Sequence, residues 1–379
     1  MKRVVAILSM LSVVAACSTQ ESTKPGYVNA EMSIVAHKVK KLIPYVFSPE
    51  EFKKPENDDL IKSHLRELDR FSHTLPEDKL EALLGKDPII HHVVQNIQRD
   101  TQGAIQSFKY KNYKYARASI KNVVFQCFQC HTRTGQGVKY DHWDLDIGQL
   151  KIPATEKAEL FIATRQFDEA NKALERVMVK APETYNQQPF EKEEAIKKMM
   201  IAYIRVQNDP KTALNRLEYF SDLKTTPKYI LSSMSHWKKS LKKWLVEDAA
   251  KNQSGIDQQM ATAKKLANDS GYDAAFVEYL RISSRLHGDI SRSKNAEERA
   301  EKYFKLGQVY EVLKDAGFWD VPLVYYEACI KEKQKSAIAK KCFKEVEQEI
   351  TLGFTGSAGT FIPAAEKNHL NRLRAMAGY

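Results

Sequence analysis

The sequence predicts an all-α protein: a four-helix bundle, then an α-solenoid built from helical hairpins. Three observations point there. Apolar residues recur at helical spacing in four consecutive segments before residue 135, with short links between them. From residue 155 the pattern lengthens into pairs of helices. The composition, 43% hydrophobic and 28% charged over 379 residues, is that of a folded soluble chain of about two domains, not of a disordered, collagen-like or multi-span membrane protein.

The chain opens MKRVVAILSMLSVVAACSTQ: Lys2 and Arg3, an apolar run from Val4 to Ala16, then Cys17. This is the layout of a secretory signal and is too short to serve as a spanning helix. Val14-Ala15-Ala16-Cys17 resembles the lipobox of bacterial lipoproteins. That resemblance implies a signal peptide over 1–16, lipidation of Cys17 and a lipid anchor, with 17–28 as tether. Ser18 after the cysteine mildly favours the outer membrane by the sorting rule known for such lipoproteins. The formal charge of +11 becomes +9 without Lys2 and Arg3. An exported basic chain meets anionic lipid or an acidic protein rather than the genome, so nucleic acid is not expected as a partner.

The first helix is expected over Asn29–Ile43, with Met32, Val35, Val39, Leu42 and Ile43 on one face and Pro44 ending it. Asp58 caps a second, with Ile61, Leu65, Leu68 and Leu75 inward and Pro76 closing it. Pro88 opens a third through Ile90, Val93, Val94, Ile97 and Phe108. A fourth runs from Tyr113 into Cys127-Phe128-Gln129-Cys130-His131.

That motif carries the chemistry. Two cysteines three apart can reach two vinyl groups on one porphyrin edge as thioethers, and the adjacent histidine then falls beneath the iron. A structural zinc site needs four ligands, and no second Cys or His pair stands nearby at finger spacing. A thioredoxin-like redox pair needs a βαβ context, and these flanks are helical. The expectation is one covalent haem c on Cys127 and Cys130, with His131 as proximal ligand.

The segment 29–135 resembles the cytochrome c′ family, four-helix bundles whose haem motif ends the last helix; YKNYKYARASIKNVVFQCFQCH looks like that final helix, with Ala116, Ile120 and Val124 inward. Arg133 stands only loosely for the family's arginine after the motif, and the tryptophan common in its third helix has no counterpart. The resemblance implies that the first helix faces the distal side of the haem. Met32 is the favoured sixth ligand, His37, His91 and His92 are weaker candidates, and an open five-coordinate iron is the alternative.

A linker over 136–152 leads to the second part, expected at 153–350. Thr155–Pro182 resembles a tetratricopeptide repeat, with Ala158, Phe161, Ala170, Leu174 and Val177 at its packing positions. A looser second copy has Ile201, Ile204, Ala213, Leu217 and Phe220; a third has Tyr303, Leu306, Gly307, Tyr310, Val321, Tyr325 and Ala328, with a longer turn at Gly317. Lys228–Ser291 is helical but matches the repeat poorly, and Trp237 and Trp244 are expected beneath a lysine face. Residues 351–379 read as a loop and a helix. Cys329 and Cys342 lie about equally far from a turn near Lys335, so they are expected to form a disulfide across a tight hairpin eased by Ala328 and Ala339, or else to be two buried thiols.

Together these readings describe a lipid-anchored cytochrome on the periplasmic side of a bacterial membrane. It would pass single electrons to a redox partner and hold a protein partner on its repeats; it is read as a carrier rather than an enzyme. A gas or redox sensor with open iron, or a scaffold lipoprotein, are the alternatives.

Overall fold

The structure is a computed structural model, and it describes residues 25–73, 86–133, 135, 146–180, 190–290 and 292–379, with side chains from residue 34 onward except Phe71. The signal, Cys17, the 136–145 half of the expected linker and Pro182 lie outside the described residues. Among the described residues the protein is all-α apart from one small hairpin.

Helix α1 (Pro25–Val46) buries Val35, Val39, Leu42, Ile43 and Val46. It starts earlier than expected and passes through Pro44, its expected end. Pro44 lies in the last turn, where it forfeits a single backbone bond and its fixed φ suits the helix. Ser48 Oγ accepts from the Glu51 amide at 3.3 Å and caps a short helix, α2 (Pro49–Lys53), that the sequence did not announce. Its Phe52 packs edge-on against Phe108 and Tyr113, with ring centres 5.3 and 6.2 Å away.

Helix α3 (Asp58–Ser72) buries Ile61, Leu65 and Leu68; Leu75 and Pro76 lie outside the described residues. In α4 (Pro88–Lys109), Asp87 caps the start and Pro88 takes the first position, where its missing N–H costs nothing. Helix α5 (Tyr113–His131) is capped by Asn112 and buries Ala116, Ile120 and Val124, as the pattern required. The α4–α5 hairpin is the spine of this region: α3 packs on α4, and α1 packs on α3 and α5. Arg117 Nε donates to the Val46 carbonyl at 2.7 Å, which sets the start of α5 beside the end of α1.

Helices α6 (Ala154–Ala163) and α7 (Phe167–Val179) form a hairpin over Ala158, Ala170 and Leu174. Helix α8 (Phe190–Ile201) runs into a π-helical turn, Ala202–Val206, before α9 (Pro210–Asp222). Next come α10 (Lys228–Ala249), α11 (Ile256–Ser270) and α12 (Phe276–Ile290), and both tryptophans of α10 are buried. Helices α13 (Ala296–Leu313) and α14 (Val321–Glu332) approach closely at Gly307, where a Cβ would stand 2.3 Å from the Tyr326 ring. A disulfide joins Cys329 of α14 to Cys342 of α15 (Ala337–Gly353) across a turn in which Lys335 is left-handed; the two Cα atoms are 6.3 Å apart.

The expected loop after residue 350 is instead the last turn of α15 and a two-stranded hairpin, β1 (Thr355–Gly356) with β2 (Gly359–Thr360); α16 (Ala364–Ala377) then packs back on α14 and α15. Among the described residues no helix is long and apolar enough to cross a membrane.

Candidate haem-attachment site

Cys127, Cys130 and His131 occupy the last turns of α5. Residues i and i+3 share a helix face, so the two sulfurs lie on one side and Phe128 and Gln129 on the other. Burial follows that division. Phe128 and Gln129 are sealed, as are Thr132 and Arg133, whereas Cys127, Cys130 and His131 are each partly open. Both cysteines are free thiols, in the same chain that bridges Cys329 to Cys342.

Cys127 Sγ lies 3.5 Å from the Val123 carbonyl. Burial, reinforced by Cys130, pushes its thiol up to about 12, and burial likewise raises Cys130. Burial and the nearby Arg165 bring the His131 imidazole down to about 4, against the opposing pull of the Ile162 and Ala163 carbonyls. A neutral imidazole is the form that ligates metal. His131 Nδ1 is buried without a hydrogen-bond partner, while Arg165 Nη1 donates to the His131 carbonyl at 3.0 Å. Two unbridged thiols one turn apart, beside a neutral histidine with an uncommitted ring nitrogen, fit the donor set of a covalent haem. Among the described residues no three His, Cys, Asp or Glu side chains group as a bare metal site.

Sequence reasoning missed what holds the end of α5 in place. Asp87, one residue before the first turn of α4, is buried and takes four donors. Its Oδ2 receives Arg133 Nη1 and His287 Nδ1, both at 2.7 Å; its Oδ1 receives the Tyr325 hydroxyl at 2.8 Å and the Ile89 amide at 3.3 Å. Burial alone would raise this carboxyl, but Arg133 and His287 outweigh it and hold Asp87 well below the usual carboxylate range. Burial pushes His287 down to about 4 although Asp87 opposes it. The neutral ring then donates from Nδ1 to Asp87 and accepts at Nε2 from Tyr310, whose hydroxyl is 2.7 Å away. Tyr310 in turn accepts from Arg205 Nη2 at 2.6 Å. One buried chain of hydrogen bonds therefore runs from the π-helical turn after α8 and from α12–α14 to the residue two places after His131.

A second seam lies beside it. Asp320 receives Gln129 Nε2 at 2.9 Å on Oδ1 and meets His92 Nε2 at 2.8 Å on Oδ2. Phe128 packs on Phe318 at 5.5 Å, and at Gly317, whose φ is +98°, a Cβ would stand 3.1 Å from the Phe128 ring and 3.3 Å from the Phe125 ring. The two parts expected to be separate domains are thus fastened together at the motif itself.

Of the expected distal ligands, Met32 lies in α1 but its side chain is outside the described residues. His37 is exposed, as its lysine neighbours suggested. His91 is exposed and within 2.6 Å of Gln95 Nε2, and His92 is engaged by Asp320. No family model, no curated protein and no solved structure matches the chain.

Proposed function

We propose that this chain is a single-haem c-type cytochrome that transfers electrons one at a time. Cys127 and Cys130 would hold the porphyrin as thioethers and His131 would bind the iron. The observation that carries the reading is the face of α5 on which these three donors are partly accessible while Gln126, Phe128, Gln129, Thr132 and Arg133 around them are buried. When bound, the haem supplies a one-electron couple. The chain's own residues fix its seat: Arg133 and Asp87 pin the residue two beyond the ligand, and Gln129 and Phe128 clamp the opposite helix face.

In this reading α1, α3, α4 and α5 form a cytochrome c′-like four-helix bundle, and the helix pairs from α6 onward form a tetratricopeptide-like solenoid that docks a protein partner near the haem. Cys17 carries a lipid anchor that keeps the protein on the periplasmic side of a bacterial membrane, the outer one being favoured. A second reading has one observation in its favour: Phe128 and Gln129 touch Phe318 and Asp320 in the turn before α14, and Arg133 is linked through Asp87 to His287 of α12 and Tyr325 of α14, so a change at the iron has a route to the repeats. That arrangement suits a gas or redox sensor. Optical spectra of the haem-loaded protein with and without carbon monoxide separate the two. A low-spin reduced spectrum indifferent to carbon monoxide supports the carrier, and a high-spin spectrum that shifts supports the sensor.

A further inference from the structure

Arg205 is among the largest fully enclosed side chains of the protein. It sits in the π-helical turn Ala202–Val206, a distortion of the α-helical ladder that recurs at functional sites. Its Nη2 is committed to the Tyr310 hydroxyl at 2.6 Å and lies 3.4 Å from His287 Nε2. The guanidinium stands over the rings of Phe318, 4.8 Å from its centre, and Tyr310, 5.5 Å away. Nε and Nη1, with three N–H bonds between them, have no hydrogen-bond partner, and no carboxylate pairs with Arg205 among the described residues.

An arginine cannot shed its charge, and a buried charge without a counter-charge is among the costliest arrangements a fold can hold. The carboxylate at the far end of its hydrogen-bond chain, Asp87, is already filled by four donors and balanced by Arg133. With His287 neutral, the cluster of Asp87, Arg133 and Arg205 keeps one uncompensated positive charge. Aromatic faces soften that cost but accept no N–H bond in the guanidinium plane.

We propose that Arg205 is the anchor of a buried anion site, and that its Nε and Nη1 receive a carboxylate. Two sources share that chemistry: an acid side chain of the porphyrin, or a free small carboxylate from solution. Phe318 lies between Arg205 and Phe128 of the attachment motif, 4.8 Å and 5.5 Å from them, so a single ring separates the site from the face of α5 opposite the two sulfurs. The porphyrin arm rests on the function proposed above; the free-anion arm does not.

The test uses the full chain in two forms, each with Arg205→Leu and with Arg205→Lys, which keeps the charge and guards against simple misfolding. In the haem-free Cys127→Ala/Cys130→Ala protein, melting temperature is followed as sodium acetate replaces sodium fluoride at constant ionic strength. In the haem-loaded protein, the propionate-bending band is read by resonance Raman and the reduction potential by titration. If the carboxylate is free, acetate raises the melting temperature, and its apparent affinity falls at least tenfold in Arg205→Leu. If it belongs to the porphyrin, acetate does nothing, while Arg205→Leu moves the propionate band and lowers the potential, and Arg205→Lys shows the smaller change. Absence of bound haem defeats the cytochrome reading and leaves the acetate arm to decide alone. The proposal is overturned if Arg205→Leu, folded and haem-loaded, matches the parent in band, potential and anion response.

Discussion

Asp87 gathers four donors onto one buried carboxylate. It caps α4, neutralises Arg133 and orients His287 and Tyr325 at once. Asp87→Ala strands Arg133 and His287 inside the protein, and removing one partner of a buried pair costs about 3–5 kcal/mol; denaturant unfolding should show a loss of that order. The same cluster sets a pH dependence. His287 takes up its proton near pH 4 in the folded chain against an ordinary value of 6.5, so between these pH values the unfolded chain binds the extra proton. Stability should therefore fall as pH drops from 6.5 to 4. Asp87 acts in the same direction at lower pH: its depressed carboxyl contributes stability that is whole above its ordinary value of 3.8 and is lost below it. Melting curves across the range should show a flatter slope between pH 4 and 6.5 for His287→Gln, and an unchanged slope would count against a neutral buried His287.

At the level of elements, the helices were legible because their apolar residues keep a helical period and because Pro88 marks a start; Asp58, expected to cap α3, is instead its first residue and receives Lys62 Nζ on Oδ2 at 3.4 Å. The Cys329–Cys342 bridge was legible for a simpler reason: both cysteines stand equally far from one turn, with alanines beside them. Removing it by Cys329→Ala/Cys342→Ala should cost about 3 kcal/mol, the value for a loop of this length, read from unfolding with and without reductant. The contacts of the α13–α14 turn with α5 were not legible. Gly317 looked like an insertion in a repeat, whereas its left-handed backbone lets Phe125 and Phe128 lie against it. Gly317→Ala adds both a strained φ and a contact that is too close, and should destabilise by about 1–3 kcal/mol.

At the scale of the whole molecule, the sequence reading placed the haem motif in one domain and a docking array in another. The structure makes them neighbours through residues that no periodicity could connect. Asp87 and His287 are 200 positions apart, and His92 meets Asp320 across 228. A polar side chain on a helix carries no sign of which distant helix it will meet, so the seam appears only in three dimensions. The donor set at Cys127, Cys130 and His131 was the reverse case, since its chemistry is local and its spacing is written in five residues. The haem proposed there would be held by covalent bonds, and that is the most direct thing to measure. The protein should be exported from a bacterium competent to attach c-type haem, denatured, and weighed intact, with Cys127→Ala/Cys130→Ala beside it. The account expects the mass of the mature chain plus one haem, and no haem on the variant. A mature chain recovered at its bare mass, under conditions that load a control c-type cytochrome, would contradict it.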